Sequence, residues 1–328
     1  MCTTRRTFLG ALAAAASAGS VRAEDCGPKA QRVRGTRVWL DLDQSELDDA
    51  YDQSVYAANA RQIGARNVTN SELARQRLGP PRRVAYGTSE IEKLDIYLAK
   101  VPNAPINVFI HGGAWFGRGA KDFGYPAEMF VDADAHFVVP DFVKVTDAGG
   151  SLFPMAEQVR GAVAWTYRNA ASFGGDASRL YVSGRSSGSH LGGVVAITDW
   201  KKDYGLPADT VKGYVLSSGM YDLRAPRLSK RGNYVKFTDE MEQELSPQRH
   251  LDRISAPIVL LYGSLETPEF KRQMREFAEA LKKAGKPVKL VYAEGYNHYE
   301  IAETIANPYG FVGREILEQM RILKRCGR

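Results

Sequence analysis

The stretch Tyr181-Val182-Ser183-Gly184-Arg185-Ser186-Ser187-Gly188-Ser189-His190 sets the tightest limit on how this chain can fold. An apolar, β-prone run from Leu180 to Ser183 passes directly into Gly184-Arg185-Ser186-Ser187-Gly188, which has the pattern G-x-S-x-G. A helix-compatible run from Leu191 to Thr198 follows. Strand, sharp turn and helix in that order force the turn serine into a strained backbone conformation and lift its hydroxyl clear of the sheet. A side chain at 184 or 188 would collide with the neighbouring strand and helix, which is why both positions are glycine. The pattern alone is common; its place between a strand and a helix makes Ser186 a candidate nucleophile.

The rest of the chain supplies the sheet that such a turn needs. Val84 to Tyr86 and Lys93 to Leu98 alternate in polarity and read as an antiparallel pair. Pro102 to Pro105 reads as a turn, Ile106 to Ile110 as a buried strand ending in His111-Gly112-Gly113-Ala114-Trp115, and His136 to Val139 as another strand. A helix carrying Val159, Ala162, Val163, Thr166, Tyr167 and Ala170 on one stripe comes before the Ser186 strand. Val211 to Leu216, Pro257 to Tyr262 and Val288 to Tyr292 are the later strands, and the middle one is apolar enough to be covered on both faces. Between the last two lies a helix with Phe270, Met274, Phe277, Ala278 and Leu281 on one side, and two helices close the chain. Strands alternating with helices predict an α/β fold: a mostly parallel eight-stranded sheet with helices on both faces and a small helical cap.

Two segments fall outside that rhythm. Residues 24–80 form an N-terminal helical arm or cap. Its irregular start gives way to a helix beginning at Asp43 or Ser45, with Glu46 as capping-box partner of Asp43 and Leu47, Ala50, Tyr51 and Val55 at helical spacing. A second short helix is predicted from Ser71 to Leu78, stopped by Gly79-Pro80-Pro81. The α/β domain takes residues 81–328, with an insertion at about 220–250 that lacks a strand and is read as lying above the sheet.

The first 23 residues carry a targeting signal. Thr4-Arg5-Arg6-Thr7-Phe8-Leu9 resembles the twin-arginine export motif, and the mildly apolar run Leu9 to Ala18 is too short to span a membrane. Val21-Arg22-Ala23 offers small residues at the cleavage positions, so the mature chain is expected to start at Glu24, in the periplasm or outside the cell. The 328 residues carry a formal charge of +6. Loss of Arg5, Arg6 and Arg22 with no acid would leave +3, too little to indicate a nucleic-acid partner, and no stable membrane anchor remains after signal removal. Cys2 leaves with the signal. Cys26 and Cys326 stay near the two ends, where they either pair or remain as two thiols.

A serine hydroxyl needs a base, and the base needs an orienting group. Of five histidines, only His298 lies in a loop directly after the last strand, where it can swing back over the sheet's carboxyl edge. The orienting acid should fall between serine and histidine after the penultimate strand. Glu266 fits, with Glu269 and Asp252 as rivals. Bare backbone at Gly112 and Gly113, with the amide of Ser187, can hold the charge that develops on an attacked carbonyl. Trp115, Phe116, Tyr221, Tyr296 and Tyr299 flank these motifs and predict an aromatic pocket. There is no H-E-x-x-H, no histidine pair at ligand spacing and no phosphate-binding loop, so neither a metal nor another cofactor is expected.

Taken together, His111-Gly112-Gly113-Ala114-Trp115, Gly184-Arg185-Ser186-Ser187-Gly188, Glu266-Thr267-Pro268-Glu269-Phe270 and Asn297-His298-Tyr299 resemble the α/β-hydrolase superfamily. Within it they resemble the kynurenine formamidase (arylformamidase)-like branch of the hormone-sensitive-lipase-like group, over roughly residues 40–320. The resemblance implies a catalytic triad of Ser186, Glu266 and His298, an oxyanion hole of Gly112, Gly113 and Ser187, and N-terminal helices that help cap the pocket. Arg185 stands where that branch often has histidine, and an export signal does not suit an intracellular pathway of tryptophan breakdown. The expected activity is therefore a serine esterase acting on small apolar or aromatic substrates. An arylformamidase or amidase acting on N-formyl or N-acyl aromatic amines is the alternative, and a non-catalytic binding protein on the same fold is the reading from another class.

Overall fold

The computed structural model describes residues 34–323. The targeting segment, Cys26 and Cys326 lie outside the described residues. Contacts divide the chain between Gly35 and Thr36, and every element below belongs to the unit that begins at Thr36.

Strands β1 (Arg37–Trp39) and β2 (Leu42–Asp43) form a small antiparallel pair. Helix α1 (Gln44–Ala50) starts on the capping box the sequence predicts: the Asp43 carboxylate accepts from the Glu46 amide at 3.0 Å, and the Glu46 carboxylate accepts from the Asp43 amide at 2.9 Å. Leu47, Ala50 and Tyr51 are buried as expected, whereas Val55 sits in a 3-10 turn and is exposed. Helix α2 runs from Ala60 to Leu78, eleven residues earlier than its predicted start. Its buried positions are Ile63, Gly64, Asn67, Ser71 and Ala74. A face so small and polar leaves almost no hydrophobic period to read.

Eight further strands form one sheet: β3 (Arg82–Ala85), β4 (Lys93–Tyr97), β5 (Ala104–Ile110), β6 (His136–Pro140), β7 (Gly175–Arg185), β8 (Tyr214–Ser217), β9 (Ile258–Gly263) and β10 (Val288–Ala293). Their spatial order is β10-β9-β8-β7-β5-β6-β4-β3. β3 and β4 are antiparallel, β4 is antiparallel to β6, and the remaining pairings are parallel. The sequence placed Pro105 in a turn, but it lies inside β5, which begins at Ala104.

Helices between the strands cover both faces. In chain order they are α3 (Ala127–Asp132), α4 (Phe153–Asn169), α5 (Ser187–Ala196), α6 (Trp200–Tyr204), α7 (Arg224–Leu228), α8 (Asp239–Glu244), α9 (Pro268–Lys283), α10 (His298–Glu303) and α11 (Phe311–Gln319). Alternation along each strand sorts the core into two layers. Ile106, Val108, Ile110, Val182, Leu216 and Leu260 pack with Leu47 of α1, Val159 and Val163 of α4, and Phe270 and Phe277 of α9. Phe109, Phe137, Val139, Val215, Val259 and Leu261 face the other way, onto Phe130 of α3, Ile301 of α10 and Ile316 of α11. The segment between β8 and β9 holds α7, α8 and short 3-10 turns and contains no strand.

Candidate active site

Five of the parallel strands end at the same edge of the sheet, and the loop after each delivers part of one site. His111 to Trp115 follow β5, Ser186 follows β7, Ser218 follows β8, Glu266 follows β9 and His298 follows β10. At the turn between β7 and α5, Ser186 has φ +54° and ψ −127°, a conformation that few side-chain-bearing residues adopt. Two contacts lock it. The Ser186 amide donates to the Ser217 carbonyl at 2.9 Å. A Cβ built on Gly188 would stand 2.1 Å from the Ile110 carbonyl oxygen, so α5 can approach the end of β5 only with glycine there.

The structure brings Ser186, His298 and Glu266 into one hydrogen-bonded line. The Ser186 hydroxyl lies 3.0 Å from Nε2 of His298, and Nδ1 of His298 lies 2.9 Å from Oε2 of Glu266. All three are buried, at 7%, 4% and 1% exposure. Glu266 can only accept, so the imidazole donates through Nδ1–H and keeps its Nε2 lone pair for the serine hydroxyl. Of the rival carboxylates, Glu269 is held by Arg272 through two hydrogen bonds of 2.7 Å and accepts from the Tyr51 hydroxyl at 3.1 Å.

The histidine is fixed from behind. Asn297 caps α10 by accepting from the amides of Tyr299 and Glu300, and Glu300 accepts from the Asn297 amide in return. Asn59, at the start of α2, accepts from the Asn297 side-chain amide at 2.9 Å and donates to Glu300 at 2.6 Å. The acid loop and histidine loop are also joined directly, the Leu265 amide donating to the Tyr296 carbonyl at 3.0 Å.

The glycine loop lies against this line. Gly113 has φ +134°, and a Cβ there would fall 2.0 Å from the Gly117 carbonyl oxygen. Ala114, Trp115 and Arg118 also lie at positive φ, backbone strain that tertiary contacts must sustain. His111 is clamped between Phe123 and Phe142, its ring nearly parallel to both, at 5.2 and 4.4 Å between centroids. As the first residue of α5, Ser187 has an amide with no acceptor inside the helix.

A cavity of about 360 Å³ opens over the serine. Phe116 and Tyr299 line it, with Gly112, Gly113, Ser186 and His298. Trp115, Tyr221 and Tyr296, also expected there, do not. Trp115 is buried and donates its indole N–H to Nδ1 of His190 at 3.2 Å. Tyr221 is fully buried, stacked on Phe277 at 4.1 Å with its hydroxyl 2.9 Å from that of Ser189. The Tyr296 ring packs on Phe311 at 5.3 Å. Nearness in sequence to a motif does not set the direction of a side chain, and these three point into packing. The wall they were expected to form is instead built from Tyr51, Asp52, Gln53 and Asn67 of the N-terminal segment and from Arg118, Arg185 and Arg231. Sequence reasoning missed this polar wall because its residues are scattered along the chain. The one signal was Arg185 itself.

Burial pushes the His298 pKa below its ordinary 6.5; Glu266 pulls the other way, and the nearby charges of Arg185 and Arg231 add to the depression. The imidazole is therefore neutral near pH 7, the form a base requires. Among the described residues no group of three or more His, Cys, Asp or Glu is placed to hold a metal ion.

Fold and site together define an α/β-hydrolase of the hormone-sensitive-lipase-like group, on its arylformamidase-like branch. A family model described as BD-FAE matches residues 94–281, more than half of the chain, and the chain belongs to that family. Kynurenine formamidase from Danio rerio is 29% identical over 286 residues, covering 82% of this chain and 94% of the relative. Isoprenylcysteine alpha-carbonyl methylesterase from Arabidopsis thaliana is 25% identical over 243 residues, covering 67% of this chain and 56% of the relative. The crystal structure of esterase LipW from Mycobacterium marinum superposes with a TM-score of 0.63 at 18% identity, over 82% of this chain and 89% of that one, a likeness of fold.

Proposed function

We propose that this protein is a serine hydrolase that cleaves carboxylic esters through an acyl-enzyme. The observation that carries the reading is the unbroken line from the Ser186 hydroxyl through the imidazole to Glu266, at 3.0 and 2.9 Å. Ser186 attacks the carbonyl carbon as Nε2 of His298 takes its proton. The carbonyl oxygen becomes an oxyanion, held by the amides of Gly112, Gly113 and Ser187. Glu266 stabilises the imidazolium without taking its proton. The imidazolium then protonates the departing alkoxide, the C–O bond breaks and the acyl group stays on Ser186. Water, deprotonated by the same nitrogen, attacks that ester and returns the free enzyme and a carboxylic acid. A cavity of about 360 Å³ suits a small substrate, with an apolar or aromatic part against Phe116 and Tyr299.

The relationship to kynurenine formamidases favours a second reading, hydrolysis of N-formyl aromatic amines by the same groups. Turnover of p-nitrophenyl acetate and butyrate beside N-formyl aromatic amines orders the two. Ser186→Ala should lower either activity by roughly 10⁴-fold or more while the fold is kept. Activity retained in that variant would mean that the nucleophile is another residue.

Twin-arginine export, with cleavage after Ala23, is part of the proposal and rests on Arg5, Arg6 and the residues before Glu24. The division at about residue 80 into a capping arm and a catalytic domain is also part of the proposal, supported by the end of α2 at Leu78 and the start of the sheet at Arg82. N-terminal sequencing of protein recovered from the periplasm tests the export: a chain starting at Met1 would count against it.

A further inference from the structure

The cavity over Ser186 carries an uncompensated positive charge. Three arginines line it, Arg118, Arg185 and Arg231, against two acidic residues, Asp52 and Asp122. Asp52 is already engaged by Lys230 at 2.6 Å. Arg231 is 5% exposed, yet its hydrogen bonds go to neutral oxygens, the Tyr234 hydroxyl at 3.0 Å and the Tyr51 carbonyl at 3.2 Å. Its charge lies over the rings of Trp115 at 5.2 Å and Tyr51 at 5.7 Å. Among the described residues neither Arg231 nor Arg185 has a carboxylate within ion-pair distance, and Nε of each is buried without an acceptor. Arg185 immediately precedes the candidate nucleophile, with its guanidinium 6.0 Å from the Phe123 centroid.

A buried guanidinium without a counter-ion is destabilising, as any unpaired buried charge is. Aromatic faces and neutral oxygens offset part of that cost. An anion arriving with the substrate would offset the rest, and a guanidinium is well suited to hold a carboxylate. We propose that the preferred substrate carries a carboxylate, bound by Arg231 and Arg185 while its ester or formamide carbonyl sits at Ser186. The proposal rests on reading the site as a hydrolase and narrows its substrate class to anionic esters or amides of small size.

Two matched ester pairs test it: p-nitrophenyl hexanoate against mono-p-nitrophenyl adipate, and phenyl acetate against 4-carboxyphenyl acetate, each corrected for spontaneous hydrolysis. Whichever side of the scissile bond carries the charge, one pair presents it. The wild type should favour the charged member of at least one pair by about tenfold or more in kcat/KM. Arg231→Gln and Arg185→Gln should each reduce that ratio about tenfold. If Arg231→Gln does not fold, the Arg185 variant and the wild-type ratios still decide. Calorimetry with benzoate and benzamide reads the anion site without turnover, and benzoate should bind about tenfold tighter or better. Esters cleaved with no preference for charge, together with benzoate binding no better than benzamide, would overturn the proposal and leave the hydrolase standing. Tight benzoate binding with no ester or formamide cleaved would leave an anion site but overturn the hydrolase reading, and with it the substrate class.

Discussion

Ser218 donates its hydroxyl hydrogen to Oε1 of Glu266 at 2.6 Å, and the Gly263 amide donates to the same oxygen at 2.8 Å. With Oε1 occupied twice, Oε2 is the oxygen left for the imidazole. Ser218 holds this position at φ +56°, so its place at the end of β8 is itself strained. Ser218→Ala should leave Glu266 freer to rotate. The expected outcome is a loss of about tenfold in kcat with little change in KM, since a hydrogen bond to a charged group is lost away from the substrate. Steady-state kinetics on p-nitrophenyl butyrate check it, and a change in KM alone would show that Ser218 acts on substrate binding instead.

The His298 depression gives a pH dependence with a definite sign. Activity requires the neutral imidazole, so kcat/KM should rise with pH along a limb whose midpoint lies below 6.5, burial being the main cause. The positive charges of Arg185 and Arg231 act in the same direction. Removing either as Arg185→Gln or Arg231→Gln should move the midpoint upward. A pH profile of kcat/KM checks both statements.

Much of this architecture is legible in the residues themselves. The capping box at Asp43 and Glu46, the apolar stripe of α9 and the order of Gly-Gly loop, serine turn, acid and histidine are local patterns, and each is matched by a local feature of the fold. Failures of the reading have physical reasons. Helix α2 buries the polar Asn67 and Ser71, the Ser71 hydroxyl donating to the Asn67 backbone carbonyl and accepting from the Tyr125 amide, so no apolar face is advertised. The aromatics Trp115, Tyr221 and Tyr296 stand beside the motifs in sequence, but the first two are buried in the core and half-buried Tyr296 packs on Phe311. The cavity wall draws on the turn after α1, α2, the glycine loop, the serine turn and the segment after α7, so no window of sequence contains it.

Asn59 ties the N-terminal arm to the loop that carries the histidine. Its amide bridges Asn297 and Glu300, the two residues of the α10 capping box. Asn59→Ala should cost roughly 1–2 kcal/mol of stability, the range for a cap or buried hydrogen bond. Because the arm also contributes Tyr51, Asp52 and Gln53 to the cavity, KM should rise in the same variant. Thermal unfolding and steady-state kinetics on one preparation measure the two effects together.

His190 predicts a loss of stability in acid. It lies fully buried in α5, with Nδ1 accepting from the Trp115 indole and Nε2–H donating to the Leu245 carbonyl at 2.8 Å. A proton on Nδ1 would break the first bond and leave a charge in the core, and burial brings the pKa down from 6.5 to about 4. Above pH 6.5 folded and unfolded chains both keep the ring neutral. As pH falls from 6.5 to about 4, the unfolded chain takes up the proton and the folded one does not, so stability drops. The loss levels off below that window at about 3 kcal/mol for this residue. Buried His111, His136 and His298 are depressed in the same direction and add to it. Denaturant unfolding at pH 7.5 and at successively lower pH should show the decline, and proton uptake on unfolding at pH 5 should be positive.

Two glycines separate a steric requirement from a mere vacancy. Gly188 in α5 abuts the end of β5, where an added Cβ would stand 2.1 and 2.4 Å from the carbonyl oxygens of Ile110 and His111. Those atoms are backbone and lead straight into the glycine loop, so they cannot swing aside as a side chain could. Gly188→Ala should destabilise the fold by about 1–3 kcal/mol or more and displace the Gly112–Gly113 amides, lowering kcat as well. Gly161 lies within α4 with nothing inside 4 Å of an added Cβ. Gly161→Ala should stabilise the protein by about 0.5–1 kcal/mol, because alanine gives up less backbone freedom in a helix. Unfolding curves of the two variants should therefore shift in opposite directions from wild type. Equal shifts would mean that the approach of α5 to β5 is looser than these contacts describe.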